Sequence, residues 1–294
     1  MQPCTLCPRH CGVNRASRAG ACGEGDTLRV ARAALHRWEE PCISGTRGSG
    51  TIFFSGCPLG CVYCQNWAIS RGGAGRAITP IQLGEAMLRL QDAGAHNINL
   101  VTPMHFTPPV LQGLEGVRHR LRIPVIVNTG GYERPETVAR WAGLCDVWLP
   151  DLKYKSPALS ARYSAADDYF ETASAAILAM HQQQPRVALD ADGLIRQGLV
   201  VRHLVLPGGR RDSLEILRWL AESLPREGFL ISLMGQFTPN VECAEFPELQ
   251  RRVTTFEYQS VLAEAQTLGL RGYGQSREAA GEGYIPDFDQ TGLR

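Results

Sequence analysis

The chain has 294 residues with 30 Lys+Arg against 29 Asp+Glu, a net charge of +1. That suits one large domain with small extensions, and it leaves no basic field for nucleic acid and no acidic tail. The start of the chain has no signal-like apolar stretch and no apolar run approaches membrane-spanning length, so a cytoplasmic protein is expected, with neither membrane nor nucleic acid as partner.

Residues 1–45 are rich in Cys, Arg and Gly and show little periodicity. They are expected to form a Cys-rich extension ordered by something other than an apolar core. Residues 46–294 should form the main domain. Thr51 to Ser55 is a short apolar run ending in the loop Gly56-Cys57. Thr79-Pro80 opens a helix with Thr as N-cap and Pro at the first helical position. Leu83, Met87 and Leu90 recur at helical spacing, and Gly94 ends it. Asn97 to Thr102 reads as a strand and Thr107-Pro108 opens a helix running to Leu121. Pro124 to Asn128 reads as a strand, Glu133 to Gly143 as a short helix and Asp146 to Leu149 as a strand. A helix covers Asp168 to about Gln184, and Gly193 to Gln197 forms a hairpin turn. Leu199 to Leu206 is a strand, Asp212 caps a helix to Leu224, and Phe229 to Leu233 is a strand. Thr255 to Leu268 is the last helix, with Gly269 after it. Strands alternating with helices give parallel βα units. The expected fold is α/β, a partial (βα)6 barrel behind a Cys-rich extension, with a closed eight-stranded barrel as the alternative. In either, chemistry belongs at the C-terminal strand ends.

The ten cysteines are grouped. A cytosolic chain seldom carries structural disulfides, so grouping points to metal. Cys57, Cys61 and Cys64 form C-x3-C-x2-C directly after the first apolar strand. Thiolates are the usual ligands of Fe–S clusters, and three thiolates leave one iron of a four-iron cubane open for chemistry. Zinc is the rival, but no fourth ligand lies near in sequence. Cys4, Cys7, Cys11 and Cys22 form C-x2-C-x3-C-x10-C. Four thiolates close a tetrahedral site, so zinc or a second cluster is expected there, supplying folding energy to a segment poor in apolar residues. Cys42, Cys145 and Cys243 read as ordinary buried thiols.

Gly56 to Trp67 (GCPLGCVYCQNW) resembles the cluster loop of radical S-adenosylmethionine (radical SAM) enzymes, with Tyr63 as the aromatic before the third cysteine. The stretches CTLCPRHC from Cys4, NINLVTPMHFTP from Asn97, NTGGYE from Asn128, WLPDLKY from Trp148, RHLVLPG from Arg202 and SLMGQFTP from Ser232 are similar to the subgroup related to pyruvate formate-lyase activating enzyme. The resemblance implies a [4Fe-4S] cluster on Cys57, Cys61 and Cys64 whose open iron chelates SAM. Reductive cleavage of the S–C5′ bond would give methionine and a 5′-deoxyadenosyl radical. It also implies an electron donor such as flavodoxin or ferredoxin. A glycyl-radical enzyme as protein substrate is the activase reading; modification of a peptide or small metabolite, and a non-enzymatic metal-stabilised binding module, are the alternatives.

The remaining candidate cofactor contacts lie at other strand ends. Thr102 and His105 stand where the family commonly carries Gly-Gly-Glu for the SAM amino group. Asp151 and Lys153, two apart, share one face of an extended segment. The family carries Asp-Leu-Lys near the SAM ribose and carboxylate, and Asn128, Thr129 and Asp151 would form an oxygen site for a monovalent cation. Arg202 would hold the SAM carboxylate in a two-pronged geometry. His203 is its neighbour, and only one of the two should face inward.

Overall fold

The computed structural model describes residues 3–275, 286 and 288–293. Its strands are β1 (Arg29–His36), β2 (Ser49–Phe54), β3 (Arg76–Ala77), β4 (Ile98–Val101), β5 (Val125–Thr129), β6 (Val147–Pro150), β7 (Ala188–Leu189), β8 (Ile195–Leu204), β9 (Leu230–Met234) and β10 (Gly272–Gly274). Its helices are α1 (Pro41–Ser44), α2 (Trp67–Ser70), α3 (Pro80–Asp92), α4 (Thr107–Val117), α5 (Pro135–Ala139), α6 (Pro157–Ser164), α7 (Tyr169–Gln183), α8 (Arg210–Ser223) and α9 (Thr255–Thr267). The strand order is β10-β9-β8-β6-β5-β4-β2-β1-β3, with β7 paired to β8. From β2 to β10 along that path every pairing is parallel. Six strand-to-helix units follow one another, as the alternating pattern predicts, and β10 adds a short parallel strand at the far edge.

The helix expected at Thr79 has its reason in sequence. Thr79 and Gln82 exchange side-chain and backbone hydrogen bonds in a capping box, Pro80 opens the first turn, and Leu83, Met87 and Leu90 are buried. Each such side chain stabilises the fold by roughly 1.5–3 kcal/mol. α9 is opened by the same box between Thr254 and Glu257.

Two local expectations are corrected. Asp212 does not cap α8, whose N-cap is Gly209; its carboxylate accepts the backbone N–H groups of Lys155 and Ser156 and so holds the loop after β6. Residues 29–36, expected within the Cys-rich extension, belong to the main sheet. They form β1, antiparallel to β2 across its whole length, so the main sheet runs back past residue 45.

The segment between β1 and β2 then turns into the barrel. Cys42 and Ile43 of α1 pack against Ile126, Val147, Leu149, Ile195, Val200 and Leu230. These come from β5, β6, β8 and β9 and alternate with Val127, Trp148, Val201 and Ile231, which pack under the helices. Asn97, just before β4, donates to the Ile43 carbonyl at 2.8 Å. α1 therefore plugs the N-terminal mouth of the barrel and leaves its C-terminal mouth for a site.

Candidate functional site

The same alternation decides which polar residues face inward. With Ile126, Leu149 and Val200 inside, Asn128, Asp151 and Arg202 follow on the inner face two residues later. All three line a cavity of about 230 Å³ at the C-terminal strand ends. Cys57, Cys61, Tyr63, Cys64, Thr102, Thr129 and Lys153 line it too.

One wall is the loop after β2. Gly60 there has φ +60°, and a Cβ would overlap the Arg71 guanidinium. Cys61 Sγ accepts the Ser164 hydroxyl at 2.9 Å, and Cys64 Sγ accepts that of Ser70 at 3.4 Å. Burial, then the sulfurs of Cys61 and Cys64, push the Cys57 thiol up to about 12. A cation at the site would favour the thiolate that metal binding requires. Among the described residues no three His, Cys, Asp or Glu side chains stand at the spacing of a single metal ion. A zinc site would need its sulfurs within about 4 Å of one another, given Zn–S bonds of about 2.3 Å. A four-iron cluster puts each thiolate on a different iron, at wider spacing, and three cysteines on one cavity wall fit it. Tyr63 closes the wall from behind, its ring edge-on to Tyr154, Tyr163 and Phe237.

The opposite wall is charged. Arg202 donates from Nε to Asp151 Oδ1 at 2.9 Å, from Nη2 to Asn128 Oδ1 at 2.7 Å and from Nη1 to Glu39 Oε2 at 3.4 Å. Lys153 Nζ donates to the other Asp151 oxygen. Burial works against the Asp151 carboxylate, yet Arg202 and then Lys153 hold its pKa below the ordinary value. The cation expected among Asn128, Thr129 and Asp151 is thus corrected: a guanidinium occupies the position between Asn128 and Asp151. Thr129 turns its hydroxyl to Glu133 instead. Burial raises the Glu133 carboxyl to about 8, and its Oε2 has no partner among the described residues. Gly131, with φ +81°, lets this turn approach Asp151, whose carbonyl oxygen would lie 2.1 Å from a Cβ.

Thr102 lines the cavity with a left-handed φ of +59°, its N–H held by the Asn128 carbonyl at 2.8 Å. Such a backbone costs a β-branched residue about 1–3 kcal/mol and collects at functional sites.

Two candidates face elsewhere. His105 is buried with Nε2 on the Ser55 carbonyl at 2.8 Å, and burial lowers its pKa to about 3. It braces the loop behind the cysteines rather than the cavity. His203, on the outer face of β8, bridges the Leu152 carbonyl and the Ser213 hydroxyl at 2.7 and 2.8 Å. Only Arg202 of that pair points in, as the alternation requires.

The front cysteines lie against the loop that carries Cys57, Cys61 and Cys64. Cys57 N–H donates to the Cys22 carbonyl at 3.0 Å, and Arg9 donates to the carbonyls of Pro58 and Ser164, both at 2.8 Å. Burial is opposed by the Arg9 backbone N–H at the Cys7 sulfur, and Cys7 still rises to about 12, with Cys22 and Cys4 among the causes. Cys11 is lowered: burial is outweighed by hydrogen bonds from the Ala21 and Val13 backbone and from Cys4. The four sulfurs form a group in space, though not at the spacing of one ion.

Glu39 is the residue that sequence reading missed. It carries no local signal, standing in a segment without periodicity; only the turn into the barrel brings it to the cavity. Phe53, Val101, Leu204 and Met234 supply the apolar lining.

Residues 51–183 match the family model described as the Radical SAM superfamily. An uncharacterized protein of Methanocaldococcus jannaschii is 27% identical over 276 residues, which cover 91% of this chain and 75% of that protein. Among solved structures, a radical SAM methyltransferase from Sphaerobacter thermophilus aligns with a TM-score of 0.55 at 15% identity, over 79% of this chain and 67% of its own. Methylornithine synthase aligns with a TM-score of 0.52 at 13% identity, over 80% and 68%. At these identities the structural likeness speaks for the fold alone. The likeness to the radical SAM superfamily in sequence thus lies in residues 51–183.

Proposed function

We propose that this chain binds a [4Fe-4S] cluster through Cys57, Cys61 and Cys64 and cleaves SAM reductively in the cavity they share with Asp151, Lys153 and Arg202. The observation that carries this reading is the facing of a three-cysteine wall and a charged wall across one cavity at the C-terminal ends of parallel strands. When bound, cluster and SAM supply one-electron cleavage of the S–C5′ bond to methionine and a 5′-deoxyadenosyl radical, which takes a hydrogen atom from the substrate. The protein's part is position and exclusion of water. Ser164 and Ser70 hydrogen-bond two of the thiolates, which tunes the potential of a cluster. Arg9 clamps the cluster loop by its carbonyls. Lys153 and Arg202 supply cations for a carboxylate, and Asp151 fixes both. Phe53, Val101, Leu204 and Met234 keep the reacting end dry.

Triple replacement of Cys57, Cys61 and Cys64 by Ala, after anaerobic reconstitution, is expected to abolish 5′-deoxyadenosine formation under reduction. Turnover surviving in that variant refutes the assignment. Within this class the activase reading draws on the stretches similar to the pyruvate formate-lyase activating enzyme subgroup. Its test is incubation with SAM, a reductant and a glycyl-radical enzyme. A glycyl radical in the electron paramagnetic resonance spectrum supports the reading, and its absence with SAM consumed points to a peptide or small-metabolite substrate.

A further inference from the structure

Arg202 is a long side chain with many rotamers, so its guanidinium serves a cavity only where it is held. Three anchors hold it: Asp151 at the end of β6, Asn128 on β5, and Glu39. The third is of a different kind. Glu39 lies outside the stretch matched to the family, in the segment that turns under the sheet into α1. Its side chain is 10% exposed. It accepts Asn99 Nδ2 from β4 at 3.0 Å, and its own N–H bonds to the Ser44 hydroxyl of α1 at 2.9 Å. It therefore reaches Arg202 from a rigid plug while tied to a strand across the barrel. Glu40, beside it, is 8% exposed and leaves its Oε2 without a partner among the described residues. Burial raises the carboxyls of Glu39 and Glu40, and Arg202 opposes that rise at both.

We propose that Glu39 is a positioning residue of the cofactor cavity, fixing the Arg202 guanidinium from the plugged end of the barrel so that the cationic wall meets the carboxylate of the bound cofactor. The inference rests on the SAM-cleaving reading above. It makes the segment before the matched domain part of the site rather than an appendage. It also accounts for the burial of a carboxylate in the barrel: a partner left behind there would be an uncompensated charge, so Glu39 and Arg202 act as a unit. Asp151 and Asn128 still hold Arg202 when the Glu39 charge is removed, so the fold should survive.

The test is a double-mutant cycle on the reconstituted full chain: wild type, Glu39→Gln, Arg202→Lys and the pair, with Glu39→Asp as the charge-keeping control. SAM affinity is read by equilibrium dialysis, and cluster content by iron analysis and visible absorbance. Glu39→Gln is expected to weaken SAM binding about tenfold with the cluster intact, as a coupling of this size implies. In the Arg202→Lys background the same change should cost less than about twofold, because coupled residues are not additive. Glu39→Asp should recover part of the loss. Equal effects in both backgrounds, or unchanged affinity in Glu39→Gln, overturn the inference. SAM binding absent from wild type with the cluster present overturns the SAM-cleaving reading instead.

Discussion

Removal of the Asp151 carboxylate tests the charged wall directly. Asp151→Ala deletes the acceptor of Arg202 Nε and of Lys153 Nζ, with the three side chains only 13–16% exposed. Breaking a buried pair by removing one partner costs about 3–5 kcal/mol. The low end applies, because Asn128 and Glu39 keep their bonds to Arg202. For 294 residues, at about 2.1 cal/mol/K of unfolding entropy per residue, a loss of about 3 kcal/mol lowers the melting temperature by roughly 5 °C. The loss should depend on pH. The folded pKa of Asp151 is depressed, so its stabilisation is fully present above the unfolded value near about 4 and disappears as pH falls through the lower folded value. The gap between wild type and variant should therefore close on acidification. The functional loss should exceed the structural one. Misplacement of a reacting bond by about 1 Å can cost about a hundredfold in rate, whereas the cluster needs only its thiolates. The assay is 5′-deoxyadenosine formed per intact cluster, beside thermal unfolding at neutral and acid pH. An unchanged rate together with an unchanged melting temperature would refute the charged wall as a working part of the site.

Glu133→Gln should stabilise the protein above about pH 5. Its folded pKa near 8 exceeds the unfolded value of about 4.3, so between the two the unfolded chain gives up a proton that the folded chain keeps, and stability falls as pH rises. The wild type should lose on the order of 5 kcal/mol across that window by this linkage, and a Glu133→Gln denaturation curve equally steep in pH would count against it. Iron or zinc is expected to remain in the Cys57/Cys61/Cys64→Ala variant and to be lost when Cys4, Cys7, Cys11 and Cys22 are also replaced; elemental analysis that finds no metal in the first protein would dismiss a front site. His203→Ala removes a buried bridge and should cost about 1–3 kcal/mol in chemical denaturation, while leaving SAM affinity within about twofold. A large drop in affinity at unchanged stability would return His203 to the site.

The sequence alone determined what local chemistry can encode. The Thr-Pro helix starts, the runs of apolar residues and the glycine stops specify six strand-to-helix units, because each signal acts within a few residues of itself. The three-cysteine loop was legible for the same reason: three cysteines on one loop need no long-range contact to be recognised as a set. Period two also foretold that Asp151 and Lys153 share a face and that Arg202 and His203 do not. It did not tell which of Arg202 and His203 faces inward. That depends on which apolar neighbours the plug α1 covers, a contact between residues 42–43 and strands 80–190 residues away. Tertiary structure likewise set Arg202 between Asn128 and Asp151 where a cation was expected, turned His105 onto the Ser55 carbonyl, and drew Glu39 to the cavity. In each case the deciding partner is far along the chain, and the energy that selects it, burial of a polar or charged group against its partner, exists only once the fold has formed around both.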